Sequence, residues 1–359
     1  MNVLIVGAGA SRAASGLPTA LTALGTWQAR IREHYPLLGF SLEAWVGNNW
    51  PTEDLETAWT KIDLAWKERV VGSSNLAARD LTDVERRHVW QHAFRAADAE
   101  PPEPVYYRPQ IQGARDLGHS TEQFLSVVAG WELRRLVQQT FVVNVTGAGR
   151  KLYRHLLERA RPAAIISFNY DTLVEQCLPP DAWTYVASEV DPGRILVLKP
   201  HGSVNWIHRY PRIVGAAEQI DYGVTLPPDA MGYRANWLVQ NAVIGLRTKL
   251  EHTAAEGSAA IRSRFREILM RCEDVLATAE RICVVGYRFA AADTGFLDML
   301  ARAVARRRAL GEMSVIGSGN PDHLLPRIRD LFAFPADQPI GQCFHGLEVW
   351  AAHGFHGSD

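Results

Sequence analysis

Three side chains in this sequence have the types and spacing to work together: an asparagine, an aspartate and a histidine. Asn169 and Asp171 stand two apart in Ser167-Phe168-Asn169-Tyr170-Asp171, directly after the apolar run Ala163 to Ile166. His201 follows a second apolar run, Ile195 to Leu198, within Lys199-Pro200-His201-Gly202-Ser203. An imidazole titrates near neutrality and suits proton transfer, and the Pro and Gly beside this one fix where it sits. Two short polar side chains at alternate positions of one loop point into the same crevice. Each residue also has a plainer reading: Asp171 suits the cap of a helix starting near Thr172, and His201 could be a satisfied loop histidine.

A third stretch bears on phosphate. The strand Asn2 to Val6 ends in Gly7-Ala8-Gly9-Ala10-Ser11-Arg12, and Gly16-Leu17-Pro18 marks a break before the next helix. Glycines let the chain turn tightly and approach a ligand, and the helix that follows presents amides and a positive dipole end. The usual dinucleotide turn wants a small residue where Arg12 stands, so this is not an ordinary dehydrogenase turn.

The elements that must position these groups are legible as short apolar strands, each followed by a Gly- or Asn-containing loop and a helix. Strands are expected at 2–6, 163–166, 195–198, 282–285 and 313–316, with a further edge strand at Leu347 to Trp350. Their loops fall at 7–12, 167–171, 199–203, 286–293 and 317–320. Right-handed crossovers place all five on the carboxyl edge of one parallel sheet, around a crevice able to hold an extended dinucleotide. Helices are expected near 19–33, 172–178, 260–279, 294–309 and from 321 to about 331. Residues 41–145 read as a helical insertion with helices near 53–70, 82–96 and 120–141. Residues 205–258 read as a second insertion ending in a helix near 237–252. The fold class is thus α/β, with a Rossmann-like sheet formed by 1–40, 146–204 and 259–359.

Bulk composition excludes several classes. Of 359 residues, 47% are hydrophobic and 21% charged, with a net charge of −1, so no global field draws the chain to nucleic acid or an anionic membrane. No apolar run reaches the roughly 18 residues of a membrane span. Cys177, Cys272, Cys283 and Cys343 form no Cys-x-x-Cys pair, which argues against a disulfide framework or structural zinc and for a cytoplasmic, reduced chain. His88 and His92 have metal-ligand spacing on a helix, but Val89 stands where a zinc-protease helix carries Glu, and a third ligand is lacking. Arg302, Arg306, Arg307 and Arg308 read as a solvated helix face.

Taken in order, the motifs resemble the sirtuin family. Gly7-Ala-Gly9-Ala-Ser11 with Gly16-Leu17-Pro18 looks like its phosphate loop, and Asn169-Tyr-Asp171 like its Asn-x-Asp segment. Lys199-Pro-His201-Gly202 resembles its His-Gly loop, Gly286-Tyr287 with Asp293 its next strand end, and Gly317-Ser318-Gly319-Asn320 its ribose-contacting turn. The resemblance implies NAD as substrate. Gly7, Ala8, Gly9, Ser11, Arg12, Pro18, Ser167, Gly202, Gly286, Tyr287, Asp293, Gly317, Ser318 and Asn320 would line it, and Asn169, His201 and Asp171 would carry catalysis, with no metal.

Departures narrow the resemblance. Residues 203–271 contain no cysteine, so the family's zinc ribbon is missing; Thr19-Ala20-Leu21 replaces its Asp-Phe-Arg; and Phe168 stands where deacylases carry Gln. The pattern is closer to sirtuin-like NAD hydrolases of bacterial antiphage defence. That implies cleavage of NAD⁺ to nicotinamide and ADP-ribose, a homo-oligomer, a partner protein of a defence operon, and gating by the two insertions. A deacylase or ADP-ribosyltransferase, and a subunit that senses NAD or ADP-ribose without turnover, stay open as alternatives.

Overall fold

The computed structural model describes residues 1–64, 81–98, 120–185, 193–209, 219–221, 239–241, 259–289, 294–308, 310–318 and 320–354. Its strands are β1 (Asn2–Val6), β2 (Ala164–Ser167), β3 (Trp183–Thr184), β4 (Ile195–Leu198), β5 (Ile207–Arg209), β6 (Gln219–Asp221), β7 (Val239–Asn241), β8 (Arg281–Val285), β9 (Glu312–Ile316) and β10 (Gly341–Cys343). Seven of them form one sheet in the order β10-β9-β8-β1-β2-β4-β3, with every pairing parallel. Setting aside the edge strand β3, the chain runs outward through β1, β2 and β4. It then returns to the other side of β1 and runs outward again through β8, β9 and β10. This is the doubly wound α/β arrangement, and its strand order reverses between β1 and β8, where such folds bind their ligands.

The central strands are apolar without alternation because helices cover both faces of a parallel sheet. Val3, Leu4, Ile5 and Val6 are buried, as are Ala164 to Ser167 and Leu196 to Leu198. The helices are α1 (Ala8–Ser15), α2 (Ala20–His34), α3 (Pro36–Ser41), α4 (Leu55–Leu64), α5 (Asp83–Asp98), α6 (Thr121–Phe141), α7 (Gly147–Ala160), α8 (Ala259–Ala277), α9 (Thr294–Arg306), α10 (Pro321–Leu331) and α11 (Leu347–His353). Helix α1 packs on α7 and α11, and α8 on α9. Arg302 and Arg306 on α9 pair with Glu273 and Asp274 on α8, so the basic run is partly an inter-helix ion-pair face.

In the helix expected at 53–70, Leu55, Trp59, Ile62 and Trp66 recur at helical spacing and are expected to face a core. Leu55, Trp59 and Ile62 of α4 and Leu133, Leu136 and Val137 of α6 are buried in the same core as the sheet strands. Leu37, Val89, Phe124, Leu125 and Val128 make a smaller core between α3, α5 and α6. Ser120 caps α6 by accepting the amide of Gln123. Trp66 lies outside the described residues.

Three local expectations are corrected. Leu347 to Trp350 is not an edge strand but the start of α11: Leu347 and Trp350 are both buried at i, i+3, and Gly346 (φ +98°) and Gly354 (φ +77°) bound the turn. The edge is instead Gly341–Cys343, whose Gly-Gln-Cys composition carries no strand signal and is ordered by pairing with β9. Thr172 to Leu178 is a loop with one 3₁₀ turn at Glu175–Cys177. Leu178 precedes Pro179 and is extended, as a residue before proline tends to be, so no helix can continue. Finally, Val239–Asn241, expected at the start of a helix, pairs antiparallel with β5 in a three-stranded sheet ordered β6-β5-β7. The rest of the 237–252 expectation lies outside the described residues.

Candidate functional site

The site is assembled at the carboxyl ends of β1, β2, β4 and β8. Asn169, two residues past β2, is only 5% exposed. Its amide nitrogen donates to the Gly7 carbonyl (3.1 Å) and to Ser11 Oγ (2.8 Å), which ties the β2 loop to the turn after β1. Its carbonyl oxygen is buried and meets no hydrogen-bond donor. An unmet buried acceptor costs on the order of 1–3 kcal/mol, and a donor from water or a bound ligand would relieve it.

Ser11 faces inward. Besides Asn169 it meets the Tyr153 hydroxyl at 3.3 Å and the Asp171 carboxylate. Asp171 is buried, and its Oδ1 accepts the Leu173 amide at 3.0 Å in a local turn, not as the cap of the helix expected at Thr172. Burial raises the Asp171 carboxyl above its ordinary range, while Lys199 and the Ser11 hydroxyl pull it back down. Tyr153 is held well above its usual value by burial and by the Asp171 charge. Asp171 therefore orients Ser11, and through Ser11 it orients Asn169.

His201 is 4% exposed and sits beside the same loop. Its ring meets Phe168 edge-on at 5.0 Å and Tyr170 at 6.2 Å between centroids. Asn169 lies between those two residues in sequence, so the asparagine and the imidazole, far apart along the chain, converge on one loop. Gly202 (φ +81°) makes the turn after the histidine in a conformation other residues avoid.

Beneath them runs a buried polar chain that sequence reading passed over. Lys199, fully buried at the end of β4, donates to the Asp171 backbone carbonyl and to Glu175 Oε1 (3.0 Å). Glu175 Oε1 also accepts from the Tyr185 hydroxyl at 2.8 Å, and that hydroxyl meets the Asn205 side chain. The available signal was Lys199 itself: a lysine continuing an all-apolar parallel strand is almost never buried unless paired.

The crevice over β1 is closed by aromatic rings. Phe168 and Tyr287 stack with centroids 3.8 Å apart and planes 6° from parallel, and Phe296 meets Phe168 edge-on. The glycines of the first turn serve this contact. A Cβ on Gly7 would lie 2.6 Å from both the Gly286 carbonyl and Tyr287 Cα, and one on Gly286 would lie 2.4 Å from the Ala10 amide. The Gly7 and Gly9 amides, expected to face phosphate, donate to the Val285 and Gly286 carbonyls at 2.9 and 3.0 Å.

The remaining expected residues are more scattered. Arg12 is exposed on α1, Ala8 opens that helix, and Pro18 is half-buried. Ser167 Oγ accepts weakly from the Asn169 amide (3.4 Å). Gly317 and Ser318 lie past β9, two strands from β1, and Ser318 bridges to His345. Asn320 spends its side chain capping α10 through the Asp322 amide. Asp293 lies outside the described residues. The His88 and His92 rings meet at 4.2 Å between centroids, tilted by 56°, and among the described residues no group of three His, Cys, Asp or Glu side chains could hold a metal ion. No described helix is long and apolar enough to cross a membrane.

No family profile and no curated protein matches the chain. Solved structures of Sir2 proteins are similar in fold. One, Sir2 with an inhibitor, 2′-O-acetyl-ADP-ribose and a deacetylated peptide, is 11% identical with a TM-score of 0.36, covering 98% of this chain and 90% of that one. Sir2 bound to acetylated peptide is 10% identical (TM-score 0.35; 98% and 90% covered). A Sir2 enzyme studied for mechanism and regulation is 12% identical (TM-score 0.37; 98% and 88% covered).

Proposed function

We propose that the chain hydrolyses NAD⁺ at the nicotinamide–ribose bond. The observation that carries this reading is the orphaned Asn169 carbonyl, held by Ser11 and Gly7 on the same loop whose rings touch His201. In the reaction the glycosidic electron pair leaves with nicotinamide, which becomes neutral, and a water oxygen bonds to the anomeric carbon through an oxocarbenium-like transition state. Asn169 Oδ1 accepts a hydrogen bond from that water or from a ribose hydroxyl, and His201 takes the proton the water gives up. The products are nicotinamide, ADP-ribose and a proton.

Substrate entry requires the Gly286–Phe289 segment to move. One opening would unstack Tyr287 from Phe168 and free the Gly9 amide from the Gly286 carbonyl, exposing both the slot over β1 and a phosphate-facing helix end. A constitutive NAD⁺ hydrolase would be toxic, so a closed resting state fits the antiphage effector role that the motif resemblance implies. Within this proposal the insertions 41–145 and 205–258 receive the trigger or a second copy of the chain.

A binding subunit without turnover is the second reading, and the Phe168–Tyr287 plate favours it. Incubation with NAD⁺ and chromatography of the products separates the two. Nicotinamide with ADP-ribose supports hydrolysis. Calorimetric binding with no nicotinamide released supports the subunit, and O-acetyl-ADP-ribose formed only with an acetyl-lysine peptide supports a deacylase.

A further inference from the structure

Lys199 is the cation of the buried polar chain beneath Asn169 and His201, and the proposed reaction does not use it. It is fully buried, on a strand end whose preceding residues are all apolar. Two residues share it: Glu175, whose carboxylate it meets at 3.0 Å, and Asp171, whose backbone carbonyl it holds. Glu175 Oε2 is buried without a hydrogen-bond donor, so this carboxylate depends on Lys199 and Tyr185. Two acidic side chains and one lysine are thus buried close together. The fraction of the lysine's field that reaches Asp171 therefore decides the state of the aspartate.

We propose that Lys199 is a positioning residue for the site: its ammonium, on the Asp171 backbone carbonyl and the Glu175 carboxylate, fastens the loop after β2 to the end of β4 and sets the surroundings in which Asp171 holds Ser11 and Asn169 in place. The inference rests on Asn169 and Asp171 being the working site, as proposed above, but its test needs no turnover. The groups facing Asp171 are Lys199 on β4, Glu175 on the 3₁₀ turn, Tyr153 on α7 and Ser11 on α1. Burial raises the Asp171 carboxyl and Lys199 is the largest opposing influence.

The two neighbours of Asp171 have opposite signs, which separates a charge role from a packing role. Lys199→Met keeps most of the volume and removes the positive charge; Glu175→Gln keeps the shape and removes the competing negative one. Protein labelled with ¹³C at aspartate carboxyls, with the Asp171 resonance assigned by its loss in Asp171→Asn, reports the titration directly. The expected result is a midpoint raised by about one pH unit or more in Lys199→Met and lowered in Glu175→Gln. If both variants move it the same way, or neither moves it, the inference is wrong. Should Lys199→Met fail to fold, Lys199→Gln takes its place, and a midpoint that does not rise overturns the inference. Tyr287→Ala protein that releases no nicotinamide while these changes appear would sink the hydrolase reading and leave the role of Lys199 standing.

Discussion

The Phe168 ring lies face to face with Tyr287, centroids 3.8 Å apart, although the two residues leave the sheet on strands that flank β1 from opposite sides. Two inter-strand steps of about 4.8 Å separate those strands, so the rings meet across the end of β1. They can do so because Gly7 has no side chain there. The carboxyl end of β1, at the reversal of strand order, is thus covered by one stacked pair, and His201 meets the Phe168 ring of that pair edge-on.

Removing that cover should activate the protein. Tyr287→Ala loses about 1 kcal/mol of ring stacking, along with buried area. It should nonetheless release nicotinamide from NAD⁺ faster than the wild-type chain. Initial rates at saturating NAD⁺, on protein shown to be folded by circular dichroism, check this. A folded variant no faster than wild type would mean the pair is core and not a gate.

The glycine turn makes a second, purely structural prediction. Gly286→Ala places a Cβ against backbone at 2.4 Å in a left-handed conformation (φ +63°), whereas Gly16→Ala meets nothing within 4 Å at a similar φ of +68°. Strain alone costs about 1–2 kcal/mol, so Gly16→Ala should lower the melting temperature modestly. Gly286→Ala should lower it far more, or abolish folding. Equal drops in melting temperature would show that the β1 and β8 turns are not interlocked as described.

Glu132 gives a pH dependence of stability unrelated to the site. It is buried in α6, accepts the Leu38 amide at 2.6 Å, and burial pushes its carboxyl up to about 8, against a smaller pull from Arg135. Because the folded state binds this proton more tightly than the unfolded state does, the stabilisation is complete below about pH 4.5. It is then lost as pH rises through about 8. Each tenfold difference in proton affinity between the two states is worth about 1.4 kcal/mol, so the loss amounts to a few kcal/mol at most. Urea melts between about pH 5 and 8 should show the decline, and Glu132→Gln should flatten it. A wild-type profile already flat over that range would contradict the burial of an uncompensated carboxyl.

Much of the scaffold was legible because parallel strands covered on both faces write continuous apolar runs; Val3 to Val6, Ile195 to Leu198 and Ile282 to Val285 are such runs. Asn169 and His201 were legible because they stand shortly after two apolar runs, Ala163 to Ile166 and Ile195 to Leu198. What was hidden is what residues meet across the fold. The Gly-Ala-Gly turn reads as a phosphate cradle, and nothing near it announces that Gly286 and Tyr287 occupy the same space. Leu347-Glu-Val-Trp350 satisfies the strand period as well as a helix face, and only the glycines at its ends and its packing decide. Lys199 was passed over as loop because its partners, the Asp171 carbonyl and the Glu175 carboxylate, come from a different segment.

The central claim is that Asn169 and His201 act on one anomeric carbon. Nicotinamide release from NAD⁺, measured for Asn169→Ala and His201→Ala in the Tyr287→Ala background, tests it most directly because closure of the crevice then cannot mask turnover. Each substitution should lower the rate about a hundred-fold or more. If both proteins release nicotinamide as fast as Tyr287→Ala alone, neither residue carries the reaction and the claim fails.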